Sequence, residues 1–218
     1  MSQADVLFEL ARFVQRITAI ARTGLAFSPH GFDAERYEEL LREAARLDIF
    51  LSGEAPEAAE ERFRKWRESV SDGYEGYVTT AVGCGAIVFN SKDEILMLKR
   101  PNGRWLYPTG FCDVGVSPAE NVAREVREET GLTVTPIRLI GVTDSFKLGS
   151  PARHLYSLLF YCRLEDGEIR PHPLEALEVG FFPLDQLPEP LHGSNRQWIA
   201  LAHEFHFEGR LEAYFDAV

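Results

Sequence analysis

The chain has 218 residues, 45% hydrophobic and 26% charged, an ordinary composition for one large folded domain or a medium domain with an accessory segment. A formal net charge of -11, with no run of lysine or arginine, argues against a surface for extended nucleic acid. No stretch approaches the roughly 18 consecutive apolar residues of a membrane span. The N-terminus MSQADVLFEL also lacks a basic lead and an apolar signal core, so a cytoplasmic protein without membrane contact is expected.

Residues 3–23 place Val6, Leu7, Leu10, Phe13, Val14, Ile17 and Ile20 at helical spacing, and GLAFSPHGFD then breaks the pattern. Asp33 is expected to cap a second helix from Ala34 to about Leu51. Pro56 is expected to open a third, rich in Glu and Arg, that reaches Ser69. Three helices of this size bury little surface alone. Residues 1–72 are therefore read as a small helical domain that packs on the main domain, on a second subunit, or on both, with a homodimer as the expected assembly.

From Tyr77 the periodicity changes, and residues 73–218 are read as the main domain. YVTTAVGCGAIVFN is β-branched and alternating, and EILMLKR follows the turn NSKDE as the second arm of a hairpin. A loop RPNGRWLYPTG leads to a helix, then come a strand near Thr133–Asp144, a strand and turn in HLYSLLFYCRLEDGEI, and a short strand Val179–Phe182. A last helix spans Asn195–Phe205, before an acidic, aromatic tail. Strands outnumber helices around one central helix, which predicts an α+β fold with a mixed sheet and helices on its faces. Cys84, Cys112 and Cys162 are odd in number and widely spaced, which speaks against disulfides or a zinc site. His203-Glu204-Phe205-His206 matches no common zinc spacing and is read as incidental.

The central helix carries the chemistry. Ser117-Pro118-Ala119-Glu120 fits a capping box with proline in the first turn, and Gly131 supplies a left-handed end. Between them, Glu125, Glu128 and Glu129 stand at i, i+3 and i+4, within an arc of about 100°. Carboxylates this close repel unless a cation joins them, which points to a divalent metal. Asn121 falls on the same strip. Ala119, Val122, Ala123 and Val126 form an adjoining stripe suited to burial, so the helix is expected to be anchored on one side and to carry acid on the other.

The run GFCDVGVSPAENVAREVREETGL resembles the Nudix box, G-x5-E-x7-R-E-U-x-E-E-x-G-U with U aliphatic. Gly110, Arg124, Glu125, Val126, Glu128, Glu129, Gly131 and Leu132 are in register. Val116 stands where the family has its first glutamate, and Thr109 where the residue before the box is commonly a second glycine. The layout of strand, hairpin, loop and box also resembles the Nudix fold, an α/β/α sandwich, here preceded by the helical domain. Within the family the chain is most similar to the CDP-choline pyrophosphatase type, through RITAIARTGLAFSPHGFDAERYEELL, GFCDVGVSP, RHLYSLLFYC and EALEVGFFPLDQLP. Members with that pattern tend to lack the first box glutamate, which makes Val116 a trait of the subgroup.

That resemblance implies Mg²⁺, with Mn²⁺ as a substitute, held by Glu125, Glu128, Glu129 and the backbone carbonyl of Thr109. Glu125 would also orient the attacking water, and Arg124 would hold the carboxylates through charge-assisted hydrogen bonds. A further base or ligand is sought after the box, where Glu175 is preferred to Glu178 and Asp113 ranks lower. Lys99, Arg100, Arg104, Lys147, Arg153 and His154 are candidate phosphate contacts, with Arg100, Lys147 and Arg153 the preferred three. Phe27, Tyr37, Trp105, Tyr107, Phe111 and Phe146 are candidates to stack on a base or cage a quaternary ammonium, although most such aromatics are core. The implied reaction is hydrolysis of the pyrophosphate of a nucleoside diphosphate joined to a small moiety, CDP-choline-like, giving a nucleoside monophosphate and a phosphorylated alcohol. The alternatives are an ADP-ribose or dinucleotide pyrophosphatase and, from another class, a catalytically silent nucleotide-binding regulatory module suggested by Val116 and Thr109.

Overall fold

The computed structural model describes residues 2–113, 115–148, 154–193 and 195–216, the side chain of Tyr74 excepted. The chain divides into two compact units, one up to Thr80 together with His154, the other Ala81–Leu148 with the chain from Leu155 onward.

The first unit is three helices, α1 (Gln3–Phe27), α2 (Phe32–Ser52) and α3 (Ala58–Glu68), then a short 3₁₀ turn at Gly73–Gly76. Ala21, Leu25, Ala34, Leu41, Ala45 and Phe63 form its core. α1 runs on through Phe27, past the break expected after residue 23, because Gly24, Ala26 and their neighbours tolerate helix and no proline intervenes. Asp33 is not the cap of α2: Gly31 holds that position with no side-chain hydrogen bond, and Asp33 lies in the first turn, where its charge favours the helix dipole. Pro56 likewise precedes α3, whose N-cap is Glu57. Only part of the expected α1 stripe is buried. Val14 lies inward with Thr18, Ala21 and Leu25, whereas Phe13, Ile20 and Phe27 remain about half exposed. No described helix is long and apolar enough to cross a membrane.

The second unit is the mixed sheet flanked by helices that the sequence predicts. Its strands are β1 (Ala81–Phe89), β2 (Ile95–Lys99), β3 (Trp105–Leu106), β4 (Thr109–Phe111), β5 (Leu132–Asp144), β6 (Leu155–Gly167), β7 (Glu178–Phe182) and β8 (Tyr214–Phe215), with helices α4 (Pro118–Thr130) and α5 (Asn195–Phe207). The order is β3-β2-β1-β6-β5-β8, with β7 also pairing β2 and β4 also pairing β1. β1 and β6 run parallel, β1 with β2 and with β4 antiparallel. The central β1, read from its sequence as an alternating strand, is buried on both faces from Gly83 to Phe89, because helices cover both sides of the sheet there. Its odd positions Ile87 and Phe89 join Met97, Ile140, Leu159, Trp198 and Phe205 beneath α5. Its even positions Cys84, Ala86 and Val88 join Leu96, Val122, Val126, Val134 and Cys162 beneath α4. All three cysteines are free, Cys84 and Cys162 fully buried.

β3, β4 and β8 lie in segments that read as loop or tail in the sequence. They are two or three residues long and gain strand geometry from their partners, β4 from Gly83–Gly85 and β8 from Gly141–Val142. His206 has a packing role that its spacing did not signal. It stacks on Phe89 with ring centroids 3.9 Å apart and bridges Tyr161 and Asp93.

Candidate active site

The site is built where β4 meets α4. Ser117 and Glu120 close a reciprocal capping box, Pro118 opens the helix, and Gly131 ends it at φ 79°, so the helix begins and stops where the sequence requires. Its orientation corrects the expectation of an inner apolar side and an outer acidic one. At about 100° per residue, Glu129 projects about 20° from Val122 and about 60° from Val126, at the border between the apolar stripe and the acidic strip, and Glu125 lies about 40° further on. Accordingly Glu129 is buried with those two valines, its side chain 1% exposed, and Glu125 is 13% exposed, whereas Glu128 faces solvent at 48%. Ala119, placed on the buried stripe by its spacing, is exposed in the first turn of the helix.

Two arginines hold these carboxylates. Arg100, at the end of β2, ion-pairs with Glu129, donates to the Thr109 carbonyl at 2.7 Å and stands 3.9 Å from Glu175. Arg124 donates to Glu125 at 3.0 Å, to Glu128 at 3.1 Å and to Asp113 at 2.7 Å. The Thr109 amide donates to Glu129 Oε2 at 3.1 Å. Burial nevertheless pushes the Glu129 carboxyl up to about 7, against the pull of Arg100. Burial also raises Glu125, with repulsion from Glu128, Glu175 and Asp113 adding to it and Arg124 opposing. Gly110 supplies the space: a Cβ there would land on the Glu125 carboxylate, so only glycine lets that side chain lie against the β4 backbone.

The other sequence candidates separate clearly. Glu175 is close enough for its charge to act on Glu125, whereas Glu178 turns to Lys99 at 2.8 Å. Arg100, preferred as a phosphate contact, is engaged with Glu129 and Thr109, a pairing across the fold with no local sequence signal. Lys147 is exposed in the turn after β5, and Arg153 lies outside the described residues. Trp105 and Tyr107 are core, while Phe111 is half exposed beside the site.

Among the described residues no three His, Cys, Asp or Glu side chains are already arranged to hold a metal ion. The donor chemistry nonetheless fits a hard divalent cation. All donors are oxygens, the buried Glu129 and the partly buried Glu125 are both disfavoured as anions, and Glu129 Oε1 is buried facing Arg100 without a hydrogen bond of good geometry. The strand β4 and the capped helix α4 thus bring carboxylates and the Thr109 carbonyl, held by two arginines, into one region of the sheet unit.

Comparison with known proteins gives the family. Residues 79–202 match the NUDIX domain, and residues 9–63 match a domain described as the UDP-X-like, N-terminal oligomerisation domain. A Bacillus subtilis (strain 168) protein, YjhB, provisionally named an ADP-ribose pyrophosphatase, is 36% identical over 80% of each chain. The crystal structure of an ADP-ribose pyrophosphatase from Streptococcus suis 89-1591 is 35% identical, with TM-score 0.57, over 63% of this chain and all of that one. A UDP-X diphosphatase structure is 28% identical, with TM-score 0.58, over 96% of this chain and 99% of that one. The chain belongs to the Nudix hydrolase family, and it is a pyrophosphatase of that family.

Proposed function

We propose that the protein hydrolyses the pyrophosphate of ADP-ribose, releasing AMP and ribose 5-phosphate, with Glu125, Glu128 and Glu129 as ligands for Mg²⁺. The observation that carries the metal assignment is the buried Glu129, raised to about 7 and lying near the partly buried Glu125, which burial also raises, since a cation would remove the cost of both. Bound Mg²⁺ supplies charge neutralisation at the phosphate oxygens and activation of water. The remaining steps belong to the chain. Glu125, seated against Gly110, orients the water; Glu175 accepts its proton from the loop before β7; Arg124 holds Glu125 and Glu128 in place by donating to both. Arg100, held between Glu129 and the Thr109 carbonyl, would be the contact for a substrate phosphate.

ADP-ribose is favoured because relatives at 35–36% identity carry that name, while the CDP-choline reading gains no support from them. A UDP-linked substrate is the second reading, supported by the UDP-X diphosphatase structure that spans nearly the whole chain. With Mg²⁺ fixed, kcat/KM on ADP-ribose is expected to exceed that on a UDP-sugar, CDP-choline and NADH by at least tenfold. A UDP-sugar or CDP-choline turned over faster would overturn the assignment.

The helical unit, read in sequence as residues 1–72, serves a homodimer in the same proposal. Its support is the half-exposed row Phe13, Ile20 and Phe27 on α1, with a cleft of about 430 Å³ alongside lined by Ile20, Gly24, Phe27 and Tyr37. Spacings of seven residues keep the row on one helical face, a pattern suited to a self-complementary two-fold contact. The double variant Phe13→Glu, Ile20→Glu is expected to run as a monomer in light scattering where the parent runs as a dimer. Equal masses for the two proteins would remove the α1 assignment.

A further inference from the structure

We infer that Asn121 is a positioning residue for the metal centre, fastening the carbonyl-bearing strand to the carboxylate-bearing helix. The inference rests on the hydrolase reading above. Asn121 is completely buried on α4, one turn before Glu125, and makes four side-chain hydrogen bonds. Its Nδ2 donates to the Phe111 carbonyl at 2.9 Å and to Cys84 Sγ at 3.2 Å. Its Oδ1 accepts from the Asp113 amide and from Arg124 Nη2, both at 3.0 Å. Reversing the amide would set donors against the Asp113 N–H and the guanidinium, and oxygen against the Phe111 carbonyl, so one orientation alone satisfies all four partners.

The geometry makes this amide the connection between two halves of the site. Phe111 is the last residue of β4, whose first residue, Thr109, offers its carbonyl and holds Glu129 through its amide. Arg124 is the donor shared by Glu125, Glu128 and Asp113. One side chain therefore sets both the distance of β4 from the helix and the orientation of the arginine that spaces the carboxylates. The loop between them has Val116 in place of a carboxylate, and Val116 is 37% exposed, so that residue does not perform the fastening. A valine at 121 could occupy the same helix–sheet contact without these bonds; what the amide adds is the orientation of its four partners.

Asn121→Ala and Asn121→Asp test this against the full-length parent. Mn²⁺ binding is read from loss of the free-ion EPR signal without substrate, and kcat and KM are read across Mg²⁺ concentrations. Alanine is expected to weaken Mn²⁺ binding by about 10- to 100-fold. It should raise the Mg²⁺ needed for half-maximal rate in proportion, while leaving KM for the nucleotide substrate at saturating Mg²⁺ unchanged. Aspartate keeps the acceptor bonds to Asp113 and Arg124 and loses the donor bonds to Phe111 and Cys84, so an intermediate loss is expected. It also decides the matter if the alanine protein fails to fold. Parent-like Mn²⁺ binding in the folded variants, or a fall in kcat with unchanged metal dependence, would overturn the inference. A parent protein that binds no Mn²⁺ and hydrolyses none of the nucleotides would instead sink the hydrolase reading on which it stands.

Discussion

Glu129→Gln lowers kcat by at least ~100-fold, the scale expected for losing one charged group at a developing phosphoryl charge, and leaves the protein folded. Glutamine has the shape of the glutamate it replaces, so it fits the same buried position. Two electrostatic changes then oppose each other. Removing a buried carboxylate whose titration is pushed up to about 7 relieves a desolvation cost, while Arg100 loses its ion-pair partner and keeps the Thr109 carbonyl. The melting temperature without metal should therefore stay within about 3 °C of the parent. Added Mg²⁺ should stabilise the parent and leave the variant unmoved. Thermal unfolding with and without Mg²⁺, run beside steady-state rates, checks both halves, and parent-like turnover would remove Glu129 from the metal set.

Gly110→Ala is expected to be as damaging for a different reason. Gly110 has no positive φ, so alanine fits the backbone, and a glycine-to-alanine change in such a place ordinarily stabilises by about 0.4–1 kcal/mol through the unfolded chain. Here the added Cβ falls on the carboxyl carbon and both oxygens of Glu125. The carboxylate must leave the strand, and its link to Arg124 goes with it. A ~100-fold fall in kcat with loss of the Mg²⁺-dependent rise in melting temperature is the expected outcome. An active, slightly stabilised variant would show that Glu125 does not need to lie against β4.

Much of this was legible because the relevant signals are local. The box helix announces its ends through Ser117, Pro118, Glu120 and Gly131, all within its own length. The strand at β1 is legible from its β-branched, alternating pattern, but its burial on both faces from Gly83 to Phe89 is not, because that depends on helices covering both sides of the sheet. The glutamates project as a cluster, and a carboxylate is expected to avoid the apolar stripe, whereas Glu129, at the border of that stripe about 20° from Val122, is buried with it. That burial is tolerable because Arg100 and the Thr109 amide reach it, and neither partner is near it in the chain. The CDP-choline likeness rested on short stretches shared within one family, and substrate-reading loops vary within a common fold.

Composition and periodicity were sufficient for an α+β chain with a helical lead and one metal-suited helix, because caps, turns and amphipathic repeats act over a few residues. Tertiary contacts decided which carboxylate is buried, that Arg100 serves Glu129, that Glu175 and not Glu178 faces the cluster, and that Asn121 joins strand to helix. Each of those depends on residues brought together from distant segments, where burial and Coulomb terms depend on the completed packing and leave no mark in the local pattern.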